Sequence, residues 1–166
     1  MIEETSELER ARAAARVDGV ARPSLTRRVF PGLLAAAASA GVLVGDGWRS
    51  GTAWEPFIQL GFAVLPGVVS SLLPISAHAV IGLFVHTLLL VLWGYCFTVV
   101  ARSLRGGKVF IAAVIVTAAL FIVARVIFPR VLGAAEWALM SSAHALLYLV
   151  TIAVAFTIGT RLARYA

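Results

Sequence analysis

Apolar residues in this chain come in long runs rather than in the short alternations of a soluble strand or an amphipathic helix. Four runs, at about 29–45, 78–101, 109–128 and 137–160, each approach the ~20 residues that carry a helix across hydrocarbon. The pattern predicts an all-α integral membrane protein with four transmembrane helices. A fifth apolar stretch, 57–73, holds Gln59, Pro66, Ser70 and Ser71, and only Pro74-Ile75-Ser76-Ala77 separates it from the next run. It predicts an interfacial or re-entrant segment. Residues 1–28 lack a wide apolar face and carry a capping-box sequence at Ser6-Glu7-Leu8-Glu9. They predict a solvated cytoplasmic helix, so the chain divides into a tail at 1–28 and a membrane domain at 29–166.

Charge sets the number of crossings and the direction. The polar punctuation falls at 3–28, 46–55, 102–108, 125–136 and the C-terminus. Four crossings gather the tail, the 102–108 loop and the C-terminus on one side with eleven of the fourteen basic residues, leaving Arg49, Arg125 and Arg130 opposite. Five would put the short basic loop on the outer side, against the cytoplasmic bias of such loops. Both termini are therefore expected in the cytoplasm. Thirteen of the fourteen basic residues are Arg and alanine is abundant, a usage expected of a GC-rich bacterium and hence of its inner membrane. Ala38-Ser39-Ala40 has the look of a signal-cleavage site, yet the preceding 28 residues are long and carry five acids and the apolar run continues past it, so a retained span is expected.

An internal repeat gives the same count. Ser-Ala-His-Ala occurs at 76–79 and again at 142–145, each time opening an apolar run that closes on Ala-Arg. Arg28-Val29-Phe30 matches Lys108-Val109-Phe110 at the start of each unit, and Val64-Leu65-Pro66-Gly67 resembles Val131-Leu132-Gly133. The basic residue and the histidine are 50 positions apart in the first unit and 36 in the second, so about 14 extra residues fall within 46–63. Two tandem helical hairpins in the same orientation are expected, related by an axis along the membrane normal.

Composition confirms the class and narrows the chemistry. The chain is 61% apolar and 13% charged, with a mean hydropathy of +0.96. Soluble domains carry about 25% charged residues. Cys96 is the one cysteine, so neither a disulfide framework nor a thiolate metal cage is available. No phosphate loop, nucleophile elbow, zinc-protease or dinucleotide pattern is present. No span carries Asp, Glu or Lys near its centre, which disfavours an ion pump or proton-coupled carrier. The basic charge flanks the spans and needs no nucleic-acid partner.

Candidate sites remain in three places. Ala37, Gly41 and Gly45 form a small-residue row along the first span, which lets a helix approach closely. Arg125 and Glu136 are placed to form an interfacial ion pair across the third loop. His78 and His144 are expected at matching depth at the outer ends of spans two and four, with His86 two turns deeper along the His78, Gly82, His86 row. Intramembrane ionisable groups are functional candidates. Two imidazoles across a pseudo-twofold could hold a metal, haem or chlorin, with Gly82 leaving room for a macrocycle. The alternative has His78 and His144 as helix-start residues bonding to loop carbonyls, and His86 as an interhelical donor. The layout is similar to that of small bacterial four-helix inner-membrane proteins, a likeness that implies no functional residue.

The expected function is a non-catalytic accessory or assembly subunit of a larger respiratory or photosynthetic membrane complex, with no resident cofactor and with the bilayer and other membrane subunits as partners. The competing expectation is a small-molecule, metal or haem-binding bundle, or a minor transporter, using His78 and His144.

Overall fold

The computed structural model describes residues 25–65, 67–126 and 142–165 and is all-helical over them, with no strand among the described residues. The helices are α1 (Leu25–Ser50), α2 (Glu55–Val64), α3 (Gly67–Leu72), α4 (Ile75–Ala101), α5 (Gly107–Val126) and α6 (Ser142–Tyr165). Three of them, α1, α4 and α6, are long and apolar enough to cross a membrane. The apolar part of α5 is shorter, Gly107–Val123. The expected N-terminal helix, Glu136 and the side chain of Arg125 lie outside the described residues, and the Arg125–Glu136 pair with them.

Helix direction follows from which residues touch. A side-chain carbon built on Gly32 of α1 would meet Leu90 and Val91 of α4, and one on Gly94 would meet Gly32. Ser39 of α1 bonds His86 of α4. As the number rises on one helix it falls on the other, so α1 and α4 are antiparallel. The connector at 51–74 therefore begins and ends at the same end of the bundle. Pro31 of α1 meets Gly159 of α6, and Asp46 of α1 meets His144, so α6 is also antiparallel to α1. Trp93 Nε1 donates to the Val116 carbonyl at 2.9 Å, tying α5 back along α4 as a hairpin.

Two chemically different ends result. The basic end gathers the start of α1, the α4–α5 turn and the end of α6, where Arg164 Nη2 donates to the carbonyls of Ala101 at 2.7 Å and Leu104 at 3.0 Å. The histidine end gathers the end of α1, α2, α3 and the starts of α4 and α6.

The expected 57–73 segment is two helices, not one. Leu65 is extended, at φ −97° and ψ 135°, because the residue before a proline is pushed out of the helical region. The ten residues of α2 reach about 15 Å, too short to cross hydrocarbon alone. The helix runs antiparallel along the first half of α4. Phe57 lies on Gly82 and Gly61 lies on His78, so closely that a methyl group at either glycine would collide with backbone.

Between the ends, the core is small and aliphatic around two stacked rings. Ala35 and Ala36 of α1, Leu90 and Phe97 of α4, Val109 and Ala113 of α5, and Ile152 and Phe156 of α6 are buried together. Phe97 and Phe156 stack at 5.2 Å. Lipid supplies no hydrophobic force between helices, so close approach and dispersion carry the packing. The glycines at the α1–α4 and α1–α6 crossings serve that purpose.

Candidate functional site

All three histidines sit in the upper half of the bundle, toward the histidine end, and each is held by different partners. His78 is in the first turn of α4. The Pro74 carbonyl accepts from the amides of Ala77 and His78 and, at 3.0 Å, from His78 Nδ1. A carbonyl only accepts, so Nδ1 carries a proton, and Nε2 lies 2.9 Å from Ser70 Oγ, in hydrogen-bond contact. Phe62 of α2 stacks on the ring at 4.0 Å, and His78 is 1% exposed. The ring is thus a pin that joins α2, α3 and the start of α4.

His144, in the first turn of α6, faces α1 instead. Its Nδ1 lies 2.8 Å from Asp46 Oδ1, and Arg49 Nη1 lies 3.2 Å from its Nε2. The carboxylate accepts from Nδ1–H, which leaves Nε2 of the neutral ring as the acceptor for the guanidinium. Asp46 and Arg49 are three apart on one helix, so the histidine is clasped from a single face of α1. The group is about a quarter exposed. Nearby in the connector, Glu55 accepts from Thr52 and Gln59, which closes the start of α2.

His86 is deeper. Ser39 Oγ donates to the Ala36 carbonyl at 3.3 Å and lies 3.1 Å from His86 Nε2, so the ring donates to the serine from Nε2. The ring centre of Tyr148 of α6 lies 6.2 Å from that of His86. Phe57 of α2 meets the imidazole edge-on at 5.6 Å. Helices α1, α2, α4 and α6 therefore converge on one buried polar centre, and His86 is 3% exposed.

The inward row of α4 is as the sequence spacing suggests: His78, Gly82, His86, Leu90 and Gly94 are all buried. The room expected beside Gly82 is not there. Backbone of α2 at Phe57 and Gly61 fills it, because the absence of a side chain is what lets the two helices touch. Both nitrogens of His78 and of His144 are occupied by protein groups. Iron or another metal at either Nε2 would have to displace Ser70 or Arg49. Among the described residues no group of three or more His, Cys, Asp or Glu side chains is placed to hold a metal.

The small-residue row has the opposite environment. Ala37, Gly41 and Gly45 are exposed, and a side-chain carbon at Gly41 or Gly45 would meet nothing within 4 Å. The row points away from the other described helices. Ser39, Ser70 and Tyr148, the partners of the buried histidines, carry no motif. Their one sequence signal is that each is a polar residue inside an apolar stretch. No protein-family model, curated protein or solved structure matches the chain.

Proposed function

We propose that the protein is a four-span bacterial inner-membrane protein with both termini in the cytoplasm, acting as a non-catalytic accessory or assembly subunit of a larger membrane complex of respiratory or photosynthetic type. The observation that carries this reading is the outward Ala37, Gly41, Gly45 row. Each glycine inside a helix costs about 1 kcal/mol relative to alanine. On a face that meets only lipid, nothing offsets that cost. A close-packed helix from another subunit does, through the backbone approach that small residues permit.

Several features support the topology. In this reading α5 is the fourth crossing, and the α1–α4 and α5–α6 pairs are the two tandem hairpins. The antiparallel α1 and α4 fit an outer connector that returns to its own side. The concentration of Arg and Lys at the basic end favours the cytoplasm for that end. Trp48 and Trp54, both exposed, then stand at the outer interface. The filled His78 and His144 rings favour a structural role for the histidines over a cofactor site.

Gentle solubilisation of native membranes, followed by native electrophoresis and size-exclusion chromatography, tests the proposal. Co-migration with a partner in fixed stoichiometry is expected, and Gly41→Leu with Gly45→Leu should release that partner without lowering the subunit's own melting temperature. Wild-type protein that migrates alone from native membranes sinks the proposal.

A further inference from the structure

The glycine contacts that bring α2 onto α4 leave a hollow beside them. Gly61 lies on His78, and Gly82 lies on Phe57. Ile58, Ala79 and Leu83, which directly follow Phe57, His78 and Gly82, line a groove of about 430 Å³ that is open on one side. Trp54, Ile75, Ser76 and Val80 complete its walls. On α4 the lining falls in two rows at helical spacing, Ile75, Ala79 and Leu83 in one, Ser76 and Val80 in the other. Ala79 puts a single methyl group between the larger Ile75 and Leu83, so the middle of the row is low. Of the lining residues, Trp54 and Ser76 carry a hydrogen-bonding side chain and the rest are aliphatic.

This lining decides what fills the groove. Buried water needs two to four polar partners, which walls of this composition do not offer. Left empty, the walls would forfeit their dispersion contacts. From Ile75 to Leu83 the groove follows α4 for about 12 Å, and a helix of that length with its side chains takes roughly 900 Å³. A partner helix therefore rests on the groove without filling it, whereas one unbranched hydrocarbon chain enters.

The groove is also continuous with the surface that faces lipid. Val80 belongs both to its wall and to the exposed apolar edge that runs on through Phe84, Leu88 and Leu92. Helix α4 has 27 residues. It is about 40 Å long, against about 30 Å of hydrocarbon. Its first turn, with Ile75 and Ser76, therefore stands at the level of the lipid ester groups, and Ala79, Val80 and Leu83 lie within the hydrocarbon. Trp54, 52% exposed, is of the residue type that favours this boundary.

We propose that the groove between α2 and the first half of α4 holds one acyl chain of a phospholipid, its ester end toward Ile75 and Ser76 and its chain running along Ala79 to Leu83. The site rests on the chain's crossing of a membrane and not on the association with another subunit.

The full chain, purified in mild detergent and titrated with dioleoyl phosphatidylcholine, provides the test, with retained lipid counted by native mass spectrometry. One lipid per chain is expected to survive activation that strips the others. Ala79→Phe, which fills the groove, should lower that retention about fivefold. Val80→Trp, at the exposed lip, should lower it about threefold and keeps the test open if Ala79→Phe fails to fold. Ile115→Phe, on the exposed face of α5 outside the groove, should change it less than twofold. Dioleoyl phosphatidylglycerol should be retained as well as phosphatidylcholine, because no lining residue is charged.

Retention that neither groove variant lowers overturns the proposal, as does an equal loss on Ile115→Phe, which would mean a general lipid coat. A tenfold preference for phosphatidylglycerol overturns it in favour of headgroup charge. In a Cys96→Ser background, a disulfide between Ala79→Cys and Leu132→Cys overturns it in favour of the chain's own 127–141 segment as the occupant. A disulfide-linked dimer of the Ala79→Cys protein overturns it in favour of a second copy.

Discussion

Gly82 and Gly41 are the same residue in opposite circumstances. At Gly82 a methyl group would strike the α2 backbone, which cannot yield as a flexible side chain would. Gly82→Ala should therefore cost about 3 kcal/mol, the upper part of the overpacking range. At Gly41 the space is open, so Gly41→Ala in the isolated subunit should be neutral or stabilising by up to about 1 kcal/mol. Thermal melts of the two variants in one detergent check the contrast, and equal destabilisation would contradict the helix crossing. His78 offers a second comparison. His78→Ala removes the bonds to Pro74 and Ser70 and the stacked Phe62, and should cost about 2–3 kcal/mol. Ser70→Ala, which removes one of these bonds, should cost about 1 kcal/mol. A His78→Ala cost no larger than that of Ser70→Ala would mean the ring is not a pin.

At the level of elements, α1 has small residues on two faces. The inward one runs Pro31, Gly32, Ala35, Ala36, Ser39, Leu43 and Gly47, and the outward one holds Ala37, Gly41 and Gly45. Apolar periodicity alone does not choose between them, because an Ala-rich helix has almost no contrast around its circumference. The choice is made by the groups that α4 and α6 present: Gly94 opposite Gly32, His86 opposite Ser39, and Gly159 opposite Pro31. The clasp of Asp46 and Arg49 on His144 then sets the register of α1 against α6. Its energy is modest, since a partly exposed hydrogen bond nets about 0.5–1 kcal/mol. A double-mutant cycle of Asp46→Asn and His144→Phe should give a coupling of about 0.5 kcal/mol, measured by thermal denaturation in detergent. A coupling of zero would mean that the clasp contributes nothing to the α1–α6 contact.

For the whole molecule, the two ends divide the chemistry. The histidine end is braced by internal hydrogen bonds. The basic end gathers Arg and Lys side chains, of which Arg164 holds the Ala101 and Leu104 carbonyls. Between them lies a surface of large apolar side chains, among them Val80, Phe84, Leu88 and Leu92 along one edge of α4, which a bilayer accommodates without further explanation. Within that surface the open glycine row is the exception, and the proposed association with another subunit rests on it.

The sequence by itself determined the class of object, the approximate position of each long helix and the grouping of basic residues at one end. Those properties depend on transfer of whole segments from water to hydrocarbon, a sum over about 20 residues that single errors do not disturb. It also identified His78, Gly82 and His86 as one row of α4. Only the tertiary structure decided what that row meets. Gly82 as an opening for a ligand and Gly82 as a seat for a helix have the same sequence signature, and the backbone of α2 makes it the second. Which small face of α1 turns inward, and that His144 bonds Asp46 and Arg49 while His78 bonds Ser70, were likewise not readable. Such pairings join positions as much as 95 residues apart, and they depend on ångström-scale proximity that no local pattern encodes.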